Sequence, residues 1–201
     1  MKNSIFSTLV FLLLVVTPTL AQGDDSNKES FFDGWEFAVK AGVNFSNMYG
    51  DVGNNSFLIF PHAGAVIDKS ITDEIILGFE PHISGEGQEL NGGYDRIIYL
   101  NLPFVGKFKV ADPLTLDGGI HVGVKLTEKT KFGTTGETDN RNRFKRIAPG
   151  VTGGATYDVA EDWFVQFRTN LKLSDVVRKE GGDSEGSTIL SFQISIGHRF
   201  N

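Results

Sequence analysis

The chain has 201 residues, a formal net charge of −6, no cysteine, 24 Gly and 17 Phe. The length allows one domain or two small ones. The acidic balance argues against a nucleic-acid partner, and the missing cysteines exclude disulfides and thiolate metal sites. Abundant glycine with abundant phenylalanine suits many strands joined by tight turns.

The N-terminus reads as an export leader. Lys2 precedes a short apolar run at 5–16, and Thr19-Leu20-Ala21 places small residues at −3 and −1 of a cut before Gln22. The run is too short to span a bilayer as a helix, which takes about 20 apolar residues. Residues 1–21 are therefore assigned as a signal peptide, 22–34 as an acidic flexible lead and 35–201 as the folded domain.

Alternation starts at Trp35. Trp35, Phe37, Val39, Ala41, Val43 and Phe45 share one phase; Glu36, Lys40, Gly42 and Asn44 share the other. That is a strand with one oily face. Further strands are predicted over 57–67, 75–84, 97–110, 114–126, 146–159, 163–173 and 188–200. The seventh, WFVQFRTNLKL, sets Trp163, Val165, Phe167 and Leu171 against Gln166, Arg168, Asn170 and Lys172. The connections at 46–56, 85–96, 127–145 and 174–187 are long and rich in Gly, Asn and charge; those at 68–74, 111–113 and 160–162 are short.

Eight strands with alternating long and short connections predict an all-β, eight-stranded antiparallel up-and-down transmembrane β-barrel. It has four long extracellular loops and three short periplasmic turns. Strands of about 10 residues tilted by about 40° cross the roughly 25 Å apolar band of such barrels. Alternation alone leaves open a soluble, lipocalin-like barrel in the periplasm with the oily face inward. Two features favour the membrane form. Gly42, Gly78, Gly119, Gly123, Gly150, Gly154 and Gly197 share a phase with the charges, as a narrow lumen requires. The bulky row is almost free of charge, as a lipid-facing row must be.

On this reading Lys40, Glu80, His121, Lys125, Arg168, Lys172, Gln193 and Arg199 form a polar network that fills the lumen rather than lining an open pore. Trp35, Phe37, Tyr157, Trp163 and Phe200 fall at the periplasmic rim as an aromatic girdle. Arg141, Arg143, Lys145 and Arg146 lead from the longest loop into the sixth strand. They form a solvated rim or, alternatively, a contact for lipopolysaccharide phosphates. Pro61, Pro81, Pro103 and Pro149 fall inside predicted strands, where bulges are expected to accommodate the missing N–H.

Chemistry beyond this is sparse. His62, His82, His121 and His198 sit on four strands without metal-ligand spacing and read as lumen or rim residues. GVTGGAT at 150–156 lacks the Lys and Ser/Thr of a phosphate loop. No catalytic residue, metal or cofactor is expected, and no enzyme activity.

The runs KAGVNFSNMYGD (40–51), FEPHISGEG (79–87) and YLNLPFVGKFKV (99–110), with the closing GHRF (197–200), resemble the PorT-like outer-membrane barrel family, a porin-family β-barrel group. The resemblance implies the eight-stranded barrel, location in a bacterial outer membrane, and contact with outer-membrane lipids, the barrel-assembly machinery and other envelope proteins. It departs from the pattern at His82, where the family commonly has Glu, and at Asn201 beyond the terminal Phe200. The expected role is a structural or interaction scaffold, with an accessory part in secretion or surface assembly as the alternative.

Overall fold

The computed structural model describes residues 34–50, 55–90, 92–132, 144–173 and 187–200, all within the unit Gly34–Asn201. The signal-peptide assignment, nearly all of the acidic lead, and Arg141 and Arg143 lie outside the described residues. Ten strand segments are present: β1 (Trp35–Tyr49), β2 (Asn55–Ser56), β3 (Leu58–Ser70), β4 (Ile75–Phe79), β5 (His82–Leu90), β6 (Gly93–Ala111), β7 (Leu114–Phe132), β8 (Ile147–Asp158), β9 (Trp163–Lys172) and β10 (Thr188–Phe200). β2 continues into β3 past Phe57, and β4 into β5 past Glu80-Pro81, so the ten segments make eight staves. All pairings are antiparallel, and β1 bonds to both β10 and β3. The ring is closed, each stave pairing with two neighbours.

The polar row faces in and the bulky row faces out. Arg168 is 0% exposed and Gln193 1%, whereas Ile120 is 62% exposed and Phe167 48%. A soluble barrel with an oily interior is therefore set aside. Glycines on the inner row make room for long side chains: a Cβ on Gly123 would stand 3.0 Å from Lys172 Nζ, and one on Gly150 would stand 2.4 Å from His121 Cε1.

Two stretches expected as loops are ladder. β5 and β6 pair from His82↔Asn101 up to Leu90↔Gly93, through most of 85–96, and β7 continues to Phe132. The alternation persists there but is polar against glycine. Glu86, Gln88 and Asp95 point inward while Gly85 and Gly87 take the outer phase, so no oily row announces the strand.

The prolines are accommodated without bulges. The β6–β7 register runs unbroken through Pro103↔His121, and its two shifts lie elsewhere, at Ile98/Tyr99 and Lys109/Ala111. A strand residue's N–H and C=O point to the same neighbour. Pro103 O accepts from Glu80 N at 3.1 Å, so its missing donor faces the gap between β4 and β5. Pro81 lies in that gap. Pro149 O accepts from Leu173 N at 2.9 Å, one step beyond the last β8–β9 pair, Gly150↔Lys172. Pro61 stands one residue outside the β3–β5 ladder, which spans His62–Gly64. Each proline spares a hydrogen bond that the fold does not form.

Beyond Pro61 the seam between β3 and β5 is closed by side chains. Asn44 Nδ2 donates to Gly85 O at 2.7 Å; Ser46 Oγ donates to Gly87 O at 3.2 Å and accepts from Gly87 N at 2.9 Å. The Asn44→Ala/Ser46→Ala double variant is expected to speed amide exchange at Gly87 by more than about tenfold, because local opening replaces a bonded state. Leu100 and Phe104, deep in the β6–β7 ladder, should be unaffected. Equal acceleration at both places would mean that the seam is not a separate weak point.

Candidate functional site: the charged interior

Glu80 is the centre of the interior. It occupies the gap between β4 and β5, fully buried, and three staves bring a cation to it. Arg168 of β9 grips it with two nitrogens, Nη1 to Oε2 at 2.6 Å and Nη2 to Oε1 at 3.1 Å. Lys107 of β6 stands 2.8 Å from Oε1, and Lys40 of β1 contacts Oε2. The outer members of the cluster are acids. Lys107 also bonds Asp68 of β3 at 2.6 Å, and Arg168 Nη2 also bonds Asp117 of β7 at 2.8 Å. Three cations thus meet three carboxylates, and five of the eight staves besides the Glu80 stave are tied at one level. Isolated, each buried ion would cost several kcal/mol of desolvation; mutual pairing offsets it. Lys40 is further held by Gln166 Oε1 at 2.7 Å, and Gln166 donates to Thr156 at 3.1 Å.

A second cluster lies nearer the end that carries the longer connections. Glu86 meets Lys172 at 2.9 Å, Asn101 at 2.8 Å and Ser84 at 2.9 Å, and the Lys172 ammonium lies 4.3 Å from the centre of the Tyr99 ring. Above it the interior turns apolar: Met48, Ile97, Tyr99, Phe144, Ala148 and Ile189 pack together. At the opposite, turn-bearing end, Ala38, Val66 and Phe164 form a smaller apolar contact. A cavity of about 230 Å³ opens there beside Glu36, Asp158 and Arg199 and reaches Asp68 and Lys107 of the ionic cluster.

The predicted interior residues divide among these places. Lys40, Glu80 and Arg168 meet directly. Lys172 belongs to the second cluster, and His121 is buried against Gly150. Gln193 faces His82 at 3.3 Å. Lys125 bonds Glu128 and Phe144 O near the loop end. Arg199 bonds Glu36 and Asp158, each at 2.7 Å, at the turn end. The structure does not bring these last two to the central cluster. Sequence reasoning left out Asp68, placed in a connection, Glu86, placed in a loop, and Lys107, which shares the inner phase with Asn101 but was not among the candidates. Extending the inner row His62-Gly64-Val66 by two residues reaches Asp68.

The other histidines are occupied by polar or aromatic neighbours: His62 Nε2 with Ser195 at 2.8 Å, His82 Nδ1 donating to Glu80 O at 3.0 Å, and His198 between the rings of Trp163 and Phe200. Among the described residues, no three His, Cys, Asp or Glu are placed to hold a metal ion. Trp35, Phe37, Tyr157, Trp163 and Phe200 are exposed on the outer wall at the turn end, with Phe37 opposite Phe200 and Trp35 stacked on Phe37 at 6.5 Å. Of the basic run, Lys145 is half-buried and Arg146 exposed at the foot of β8.

Known proteins place this architecture. The family model for the outer membrane protein β-barrel domain matches residues 20–178, well over half of the chain. Neisserial surface protein A superposes with a TM-score of 0.58 at 12% identity, covering 82% of this chain and 97% of that one. Ail, the attachment invasion locus protein of Yersinia pestis, in complex with the heparin analogue sucrose octasulfate, gives 0.54 at 11% identity, over 83% and 99%. At such identities the likeness is one of fold. No curated protein matches the chain. A closed ring of eight staves, an oily outer wall and the family match agree: the chain belongs to the outer membrane protein β-barrel domain family.

Proposed function

We propose that this outer-membrane barrel works as a closed scaffold whose loop end meets other envelope components, rather than as a pore or an enzyme. The observation that carries the reading is Glu80, fully buried and held by cations from three other staves. An eight-stranded barrel has an interior just wide enough for side chains, and here ion pairs and hydrogen bonds join the staves across it. In planar bilayers the wild-type barrel is expected to give no stable conductance steps. Sustained single-channel openings of the wild type would sink this reading.

The exposed aromatics at the turn end support anchoring at the inner interface, where amphipathic rings settle among headgroups. The short apolar run at 5–16 supports export through a cleaved leader, so the intact mass of the outer-membrane form should match a chain starting at Gln22. A narrower role, as an accessory of secretion or surface assembly, is favoured by the PorT-like runs at 40–51 and 99–110. Recovery of the barrel without any envelope partner after in-cell crosslinking would count against it.

A further inference from the structure

The turn end of the lumen holds a cavity of about 230 Å³, walled by the acids Glu36, Asp68, Asp158 and Glu161 and the bases Lys107, Lys109 and Arg199. Most of these charges already answer one another. Arg199 holds Glu36 and Asp158, each at 2.7 Å. Lys107 holds Asp68 Oδ2 at 2.6 Å and Glu80 Oε1 at 2.8 Å. Three groups are left over. Asp68 is only 8% exposed, yet its Oδ1 has no hydrogen-bond partner. Gly78, opposite Asp68 on β4, leaves the inner wall open beside that oxygen: a Cβ there would stand 2.7 Å from it. Lys109 and Glu161 are exposed on the cavity lining and make no ion pair among the described residues. Lys109 follows Lys107 on the inner row of β6, one step of about 7 Å toward the mouth. Thr115 on β7 and Thr156 on β8 continue the wall from Lys109.

We propose that this cavity binds a lysine-like solute of the periplasm, an ammonium on an aliphatic stem that ends in a carboxylate. The ammonium enters first and donates to Asp68 Oδ1. A buried carboxylate oxygen without a donor is costly, and a charge-assisted bond from an ammonium relieves that cost. The ligand's carboxylate stays at the mouth on Lys109. A lysine spans about 7 Å from its ε-ammonium to its α-carboxylate, which matches the step from Lys107 to Lys109. Ile76, opposite Lys107 on the lining, gives the stem an apolar wall. Where the α-ammonium is free, it meets Glu161. The cavity is smaller than the roughly 300–1,000 Å³ of pockets for drug-sized ligands, so it takes one such molecule or one chain end. Two sources offer this chemistry, the free amino acid and a peptide ending in lysine. They differ only at the α-nitrogen.

The test is titration calorimetry of the full barrel in detergent with L-lysine, Nε-acetyl-L-lysine, Nα-acetyl-L-lysine and cadaverine. Lysine should bind, and Nε-acetyl-lysine, which lacks the deep charge, should bind at least about tenfold more weakly. Cadaverine, which lacks the carboxylate, should also be weaker than lysine. D68N keeps an oxygen for Lys107 and should lose the preference for lysine over its Nε-acetyl form. K109Q should lose the preference for lysine over cadaverine, and E89Q, at the loop end, should keep both. If D68N does not give the heat-modifiable band of a folded barrel, K109Q, on an exposed side chain, carries the test. Nα-acetyl-lysine binding as well as lysine would assign the peptide end as the source; markedly weaker binding, with E161Q closing the gap, would assign the free amino acid. No heat from lysine at millimolar concentration, equal binding of lysine and its Nε-acetyl form, or unchanged preferences in the folded variants would overturn the proposal. Detergent leaves both ends of the barrel accessible, so such a failure belongs to this site and not to the orientation or the closed lumen.

Discussion

Glu80→Ala is expected to destabilise the barrel more than any other single change in the interior, by about 3–5 kcal/mol. The substitution removes the acceptor shared by Arg168, Lys107 and Lys40. It leaves those three cations, each more than nine-tenths buried, facing two acids, Asp68 and Asp117. Lys40→Met is the informative comparison. It removes one of three partners, Glu80 keeps the bidentate Arg168 and Lys107, and the cost should be nearer 1–3 kcal/mol, about that of a hydrogen bond to a charged group. Glu80→Gln, which keeps an acceptor but no charge, should fall between the two. Urea unfolding in lipid vesicles, read by the heat-modifiable gel shift, measures all three. A Glu80→Ala midpoint within the roughly 0.5 kcal/mol of an ordinary surface change would mean that the cluster does not hold the staves together.

The polarity of the wall was legible because it rests on a strict period of two. Trp163, Val165 and Phe167 against Gln166, Arg168 and Asn170 needs only the alternation, and the inner-phase glycines decide which row faces in. The partners of Glu80 were not legible. They come from residues 40, 107 and 168, and only the register of eight staves and the tilt of the strands bring them to one height. Glu86 stayed hidden because its outward neighbours are Gly85 and Gly87, and Asp95 because its outward neighbours are Tyr94 and Arg96, so neither stretch shows a run of oily residues. Met48, Ile97 and Ile189 fall on the inner row yet are apolar, and no alternation rule anticipates an oily layer inside a polar lumen.

The prolines failed for a different reason. A missing N–H is a defect only toward the neighbour it faces, and a sequence does not say which neighbour that is. Pro103 sits in a regular β6–β7 ladder because its donor side faces the break at Glu80-Pro81. Glu80 lies at that break and keeps its own N–H bond to Pro103 O. Two prolines on adjacent staves and the buried acid are one local solution.

Ile120→Lys carries the second large expectation. Ile120 is 62% exposed midway along β7, between Phe104 on β6 and Val151 on β8. In water such a residue is a free position, and lysine there would change stability by no more than about 0.5 kcal/mol. In a bilayer the same ammonium lies in hydrocarbon, and the cost is about 2–4 kcal/mol at mid-depth. Tyr157→Lys, 52% exposed but at the turn end of β8, should cost only about 0–1 kcal/mol, because there the side chain reaches headgroups. Exposure is similar at the two sites, so burial against protein cannot produce the difference; depth can. Urea titration of the two variants in lipid vesicles therefore measures where the membrane lies on the wall. Equal costs at Ile120 and Tyr157 would place the apolar band elsewhere on the wall.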